Sequence, residues 1–306
     1  MREERMELSE IEAFVTINRV GGFTRAAGVL HLSQPAISRR IELLERELGA
    51  PLFERIPGGV RLSEAGKTFL PYAQQILATV GDGLAAVHGL EEEGQGTIRL
   101  VLVGTLASTQ LTAQLQAFRT TYPQIRLLLH TARSDEVSTL VLQGDAHLGL
   151  RYFIDPRPEI HSQTVTHEPL LVACAAHSHL VKNTPTEPEG VSGVPWVSFP
   201  LGSGSPGEPF ARILERLLLR WGLEEAERII IDSLTAQKRL IEADFGIGLV
   251  PASSIEEELR LGTLRVLPIE ALQTEAPVMV IHRRQAYLSR AVRLLLVMLT
   301  HQAESV

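Results

Sequence analysis

The chain has 306 residues, 44% of them hydrophobic, a formal net charge of −7 and one cysteine. That length fits roughly two domains with full cores, and no apolar run approaches the ~18 residues that a membrane span needs. MREERMELSE does not read as a signal peptide, and the lone Cys174 excludes an intramolecular disulfide and fits a reducing cytoplasm. The negative charge disfavours general coating of nucleic acid, yet it is unevenly spread. Residues 13–41 hold Arg19, Arg25, Arg39 and Arg40 and no acid, the local basic face of a site-specific binder.

Ser9 and Glu12 form an S-x-x-E capping box for a first helix, with Leu8, Ile11, Phe14 and Val15 as its packing face. A second helix follows. Phe23, Ala26, Ala27 and Leu30 recur at helical spacing, and Thr24 stands at the expected N-cap. His31 and Leu32 leave room only for a sharp turn before Ser33, which can cap a third helix that tolerates Pro35 in its first turn. There Ile37, Ile41, Leu44 and Leu48 make one narrow stripe, leaving Gln34, Pro35, Ser38 and Arg39 opposite. Such a helix suits a major groove, where Arg bridges guanine O6/N7 and Gln bridges adenine N6/N7. Ordinary surface polarity would explain the helical pair alone equally well. The wing shifts the balance: Leu52-Phe53, Arg55, a Pro57-Gly58-Gly59 tip, a returning Val60-Arg61-Leu62, and Ser63 as the next cap. Arg55 and Arg61 would reach phosphates or the minor groove. The DNA-facing set is Thr24, Arg25, Ser33, Gln34, Pro35, Ser38, Arg39, Arg40, Arg55 and Arg61.

The stretch FTRAAGVLHLSQPAISRRIELLERELGAPLFERIPGGVRLSEAG resembles the winged helix–turn–helix of LysR-type transcriptional regulators. The pattern runs through Phe23, Ala26-Ala27, Leu30, residues 33–38, Ile41, Leu44-Glu45, Leu48-Gly49, Leu52-Phe53, Arg55 and residues 62–66. Ser63 replaces the family's usual Thr and keeps the hydroxyl, while MREER precedes Met6, where such chains more often begin. The resemblance implies a DNA-binding regulator with a pseudo-palindromic operator, a dimer or tetramer, and RNA polymerase as a further candidate partner.

From Glu64 to about Glu91 a long helix is expected. Phe69, Ala73, Ile76, Val80, Gly83, Val87 and Leu90 alternate spacings of four and three, a heptad seam. It could pack on its own domain; a dimer seam is favoured because few nearby apolar segments are free to cover it, and the resemblance implies dimerisation through this helix. Dimerisation is therefore assigned to Phe69, Ala73, Ile76, Val80 and Val87. Pro71 should kink the helix, and residues 94–96 are the hinge. A βαβαβ order follows, with strands at 98–103, 125–129 and 147–150 and helices at 110–121 and 134–143. A second set comprises strands at 195–199, 228–231 and 247–250 and helices at 208–221 and 233–243; residues 278–281 and 286–299 return to the first lobe. The fold class is α/β overall: a mainly α winged head at 6–63, a linker helix at 64–93, and a two-lobed periplasmic-binding-protein-like effector domain at 94–306. Its lobe I is placed at about 97–167 and 277–306, and lobe II at about 168–276.

Ligands of such sheets bind beyond strand carboxyl ends. Thr105, the 131–133 loop, Arg151 and the LGSGSPG loop with Ser203 and Ser205 qualify, and would hold a small carboxylate. The resemblance implies that positions matching Thr105, Arg133, Arg151 and Phe210 line the effector cleft, although Arg133 stands where many relatives carry a small hydroxyl residue. No cofactor is expected. GSGSPG lacks nucleophile-elbow spacing. His161, His167, His177 and His179 read as surface rather than as metal ligands, and Cys174 as a buried inert thiol. The reading is a cytoplasmic transcriptional regulator, not an enzyme. The competing class is a small-molecule-binding protein or enzyme whose N-terminal unit makes protein contacts only.

Overall fold

The computed structural model describes residues 6–57, 59–88, 96–107, 109–202 and 208–300, with side chains at all of these except 55, 85, 88, 109, 110 and 208. The chain divides into an N-terminal and a larger C-terminal unit, which meet in sequence between residues 91 and 92.

In the first unit α1 spans Leu8–Val20, α2 Phe23–Val29 and α3 Gln34–Leu48. The expected Ser9/Glu12 box is replaced by one two residues earlier, where the Glu7 N–H donates to Glu10 Oε2 at 3.2 Å. Starting there places Ile11, Phe14 and Ile17 in the core, and leaves Leu8 at the surface. Thr24 is not a cap either. Gly22 takes that position, and α2 begins at Phe23, whose ring meets Phe53 at 5.8 Å. Ser33 does cap α3, its Oγ accepting from Ala36 N at 3.3 Å. Gly49 ends the helix in the left-handed conformation (φ 71°), which only glycine adopts freely. Ile37, Ile41 and Leu44 are fully inside, with Leu48 at the margin.

Strands β1 (Phe53–Ile56) and β2 (Gly59–Leu62) form the antiparallel wing, pairing Glu54 with Arg61 and Arg55 with Val60. The Ser63 hydroxyl donates to Pro51 O at 2.5 Å and accepts from Gly66 N at 3.0 Å, capping α4 (Glu64–His88) while holding the root of the wing. A Cβ at Gly66 would stand 2.1 Å from Leu52 O, so the close approach of helix and wing requires glycine.

Helix α4 runs through Pro71 as one element rather than breaking there. Its seam is divided. Ala73 is buried in the core of the first unit and Phe69 packs against that core, so for these two residues packing on the own domain replaces the dimer assignment. Ile76, Val80, Leu84 and Val87 are exposed. Leu90 and residues 94 and 95 of the hinge lie outside the described residues.

The second unit follows in chain order with β3 (Gly96–Val103), α5 (Thr109–Thr121), β4 (Ile125–Ala132), α6 (Ser134–Leu142) and β5 (Leu148–Tyr152). Then come β6 (Ile160–Ala175), α7 (His179–Lys182), β7 (Trp196–Ser198), α8 (Glu208–Arg220), β8 (Arg228–Ile230) and α9 (Leu234–Glu242). The chain finishes with β9 (Gly248–Pro251), α10 (Glu256–Leu261), β10 (Leu264–Val266), β11 (Thr274–Arg283) and α11 (Arg290–Thr300). β3 lies parallel between β4 and β5, as a right-handed βαβ succession demands. The sheet is mixed, however, because β11 joins β5 antiparallel and then pairs along ten residues of β6. The far half of β6 carries β9 and β10. These two long strands are the crossovers between the lobes.

Candidate functional site: recognition helix and interlobe cavity

On the outward face of α3, Gln34 Nε2 donates to Ser38 Oγ at 3.1 Å, and Arg39 is exposed beside them. The amide and hydroxyl are thus one turn apart and mutually oriented, on the side opposite the buried Ile37/Ile41/Leu44 stripe. Ser33, Pro35, Thr24 and Arg25 are also exposed near the amino ends of α3 and α2. Three arginines have internal partners. Arg25 reaches back to Gly21 O at 2.7 Å. Arg40 is half-buried and donates to Ser9 O of α1 at 3.4 Å, so its guanidinium braces two helices instead of standing on the reading face. Arg61 pairs with Glu54 across the wing at 2.7 Å, which offsets the charge expected to meet phosphate. The side chain of Arg55 lies outside the described residues.

In the C-terminal unit a cavity of about 770 Å³ opens between the lobes. Thr105, Thr131 and Arg133 line it from the strand ends of lobe I, and Ser233, Thr235, Lys238, Ser253 and Ser254 from lobe II. Ser233 caps α9, accepting from Ala236 N at 3.4 Å, so the amino end of that helix faces the cavity with first-turn N–H groups lacking intrahelical partners. Lys238 Nζ meets Glu258 Oε1 at 2.7 Å and Ser254 O at 2.7 Å, leaving one of its three donors. Thr105 Oγ1 is buried beside the Tyr152 hydroxyl, and neither oxygen has a well-aligned hydrogen bond. Burial first, and Glu168 second, push the Tyr152 phenol well above its ordinary range, so it stays a neutral donor.

Of the expected effector residues, Thr105 and Arg133 reach this cavity. Arg133 arrives already paired, with Asp135 at 3.4 Å and Glu136 at 3.9 Å. Arg151 does not line it. Its guanidinium is bonded to the buried carboxylate of Asp155 and to Ser138 Oγ at 2.6 Å, so the expectation that it lacks a counter-charge is corrected. Burial pulls the Arg151 pKa down and Asp155 opposes this. Phe210 is likewise a core residue, its ring 4.6 Å from Tyr152 and 6.3 Å from Phe199. Ser203 and Ser205 lie outside the described residues. Lys238, Ser233 and Ser253 are functional candidates that sequence reasoning passed over. The available signal was Ser233 as a cap just beyond strand β8, the same strand-end logic applied to lobe I, with Lys238 one turn further along.

Residues 8–67 match the model of bacterial regulatory helix-turn-helix proteins of the lysR family, and residues 91–304 match the LysR substrate binding domain. The chain belongs to the LysR family. It is therefore a transcriptional regulator with a DNA-binding head and an effector-binding domain. Among similar LysR-type proteins, TfdT of Cupriavidus pinatubonensis is 34% identical over 171 residues, covering 56% of this chain and 75% of TfdT. YeiE of Escherichia coli K12 is 28% identical over 94% of each chain. The solved LysR-family regulator CbnR is 26% identical, with a TM-score of 0.65 over 98% of this chain and all of CbnR. No helix among the described residues is long and apolar enough to cross a membrane.

Proposed function

We propose that this LysR-family regulator reads a pseudo-palindromic operator with Gln34, Ser38 and Arg39, supported on the backbone by Thr24, Arg25, Ser33, Pro35 and Arg55. Residues 6–63 are read as the DNA-binding head and 64–93 as the dimerisation linker, with Ile76, Val80 and Val87 as its free apolar positions. Residues 94–306 are the effector domain, with lobes at about 97–167 plus 277–306 and 168–276. CbnR has been solved with its target DNA, which supports the same use of the head here. The partners are double-stranded DNA, further copies of the chain in a dimer or tetramer, and RNA polymerase; the compartment is the cytoplasm. Arg39→Ala should cost about 1–3 kcal/mol of operator affinity and relax sequence preference. Operator and random-DNA affinities at several salt concentrations check this; unchanged specificity would remove Arg39 from the reading set.

The effector is a small carboxylate, and the observation that carries this is the meeting of Thr105 and Thr131 with the amino end of α9 and Lys238 in one cavity. Hydroxyls, first-turn N–H groups and an ammonium donor suit a carboxylate. The receptor is thus α9 and Lys238 rather than Arg151. A regulatory rather than catalytic role is supported by the Ser253 hydroxyl, which is held by Glu168 at 2.8 Å with no histidine lining the cavity. Thermal shift with organic acids and matched neutral analogues tests the site. Some acid should stabilise the wild type and not Thr235→Glu, a substitution compatible with a helix amino end but repulsive to an anion. Equal shifts in both proteins, or stabilisation only by neutral compounds, would reject the carboxylate reading.

A further inference from the structure

A second cavity, of about 480 Å³, lies between the amino end of α6, the Arg151–Arg157 segment after β5, and α8. Four guanidiniums line it, those of Arg151, Arg157, Arg212 and Arg216, against the carboxylates of Asp135 and Asp155. The two acids are already engaged. Asp155 is fully buried, bonded to Arg151 and accepting from the Arg157 N–H at 2.9 Å, while Asp135 faces Arg133 at 3.4 Å. Arg212 and Arg216 stand one turn apart on the exposed side of α8, and Arg216 makes no ion pair among the described residues. The interlobe cavity has the opposite balance, with two cations against four acids in its lining.

We infer that this arginine-lined cavity is a second ligand site, for a compact dianion carrying either a phosphoryl group or two carboxylates. Planar guanidinium forks match oxyanions bidentately, and a lining with two surplus positive charges takes up a dianion without leaving a charge unmatched. The converging arginines arise from different lobes: Arg157 follows β5 of lobe I, whereas Arg212 and Arg216 ride on α8 of lobe II. A dianion held by both would favour one lobe arrangement, giving a second chemical input to the same regulator. The site is separate from the carboxylate receptor proposed above and stands or falls independently of it.

The test is calorimetric titration of the full-length protein at constant ionic strength, with inorganic phosphate and succinate as the dianions and nitrate as the monoanion control. The wild type should bind at least one dianion saturably, with a Kd near or below about 1 mM, and should not bind nitrate comparably. R212A/R216A should weaken this by about tenfold or more through loss of two charge-assisted contacts, and T235E should leave it unchanged. Preference for phosphate or for succinate identifies which dianion chemistry the site takes. Both arginines are exposed helix positions, so the double variant is expected to fold; R216Q gives a second reading with smaller loss. Absence of saturable dianion binding, equal affinity in wild type and arginine variants, or loss in T235E alone would overturn the inference. The last of these would move the anion to the interlobe cavity.

Discussion

An Asp155→Ala protein should lose about 3–5 kcal/mol of stability, because it leaves the Arg151 guanidinium charged and largely buried with no carboxylate beside it. Asp155 has no exposed side-chain surface, and it also accepts from the Arg157 N–H, so the loop following β5 loses its anchor at the same time. Urea unfolding followed by far-ultraviolet circular dichroism measures the loss. Asp155→Asn retains acceptors for Arg151 and Arg157 and should fall between the two. Replacing both partners, as Arg151→Met with Asp155→Leu, should recover most of the stability, since two apolar groups leave no charge to desolvate. An Asp155→Ala midpoint matching wild type would mean that Arg151 finds water or another partner, and the carboxylate could not then be its neutralising group.

Phe14→Ala should be comparably severe in the DNA-binding head. Phe14 is completely buried, and its ring lies 5.3 Å from Phe53 of the wing and 5.5 Å from Phe69 of α4. One side chain thereby ties α1, the wing and the linker helix together. Truncation removes a core aromatic at a cost of about 3–5 kcal/mol, with the aromatic pairs adding to the loss. The expected result is an early melting transition for the head, a later transition for the effector unit close to that of wild type, and operator binding lost at temperatures where the effector unit remains folded. Scanning calorimetry and a binding titration report these separately. Phe14→Leu should cost less than about 1.5 kcal/mol. If Phe14→Ala bound DNA normally at elevated temperature, the head would have to be stabilised mainly elsewhere.

The head was legible because its signals are local. The Ile37/Ile41/Leu44 stripe, the Ser33 cap and the wing pair fall within a few residues of one another, so periodicity and capping rules reach them. Helix α4 was misjudged at its beginning because a heptad pattern records which positions are apolar and not what covers them; Phe69 and Ala73 are covered by the head's own core. The β6 crossover escaped notice because its first half, IHSQTVTHE, is dominated by polar residues, and its apolar run begins only near Leu170. Arg151 was misread for want of a counter-charge that stands four residues further along the chain. Lys238 was passed over for a different reason. Its partner Glu258 is on another helix, and a lysine in a helical sequence looks solvated until its neighbours are known.

The paired β6 and β11 strands set the mechanics of the effector domain. Sliding one along the other would require a register step, and a step of one residue turns every side chain to the wrong face. Stretching would break ladder hydrogen bonds one after another. What remains soft is torsion, concentrated where the register shifts between Val278 and Met279, on the side of β5 away from β9 and β10. The connection is therefore a torsion bar rather than a slack tether: a bound molecule does work on an angle and not on a separation, and the elastic return of that angle empties the device when the molecule leaves.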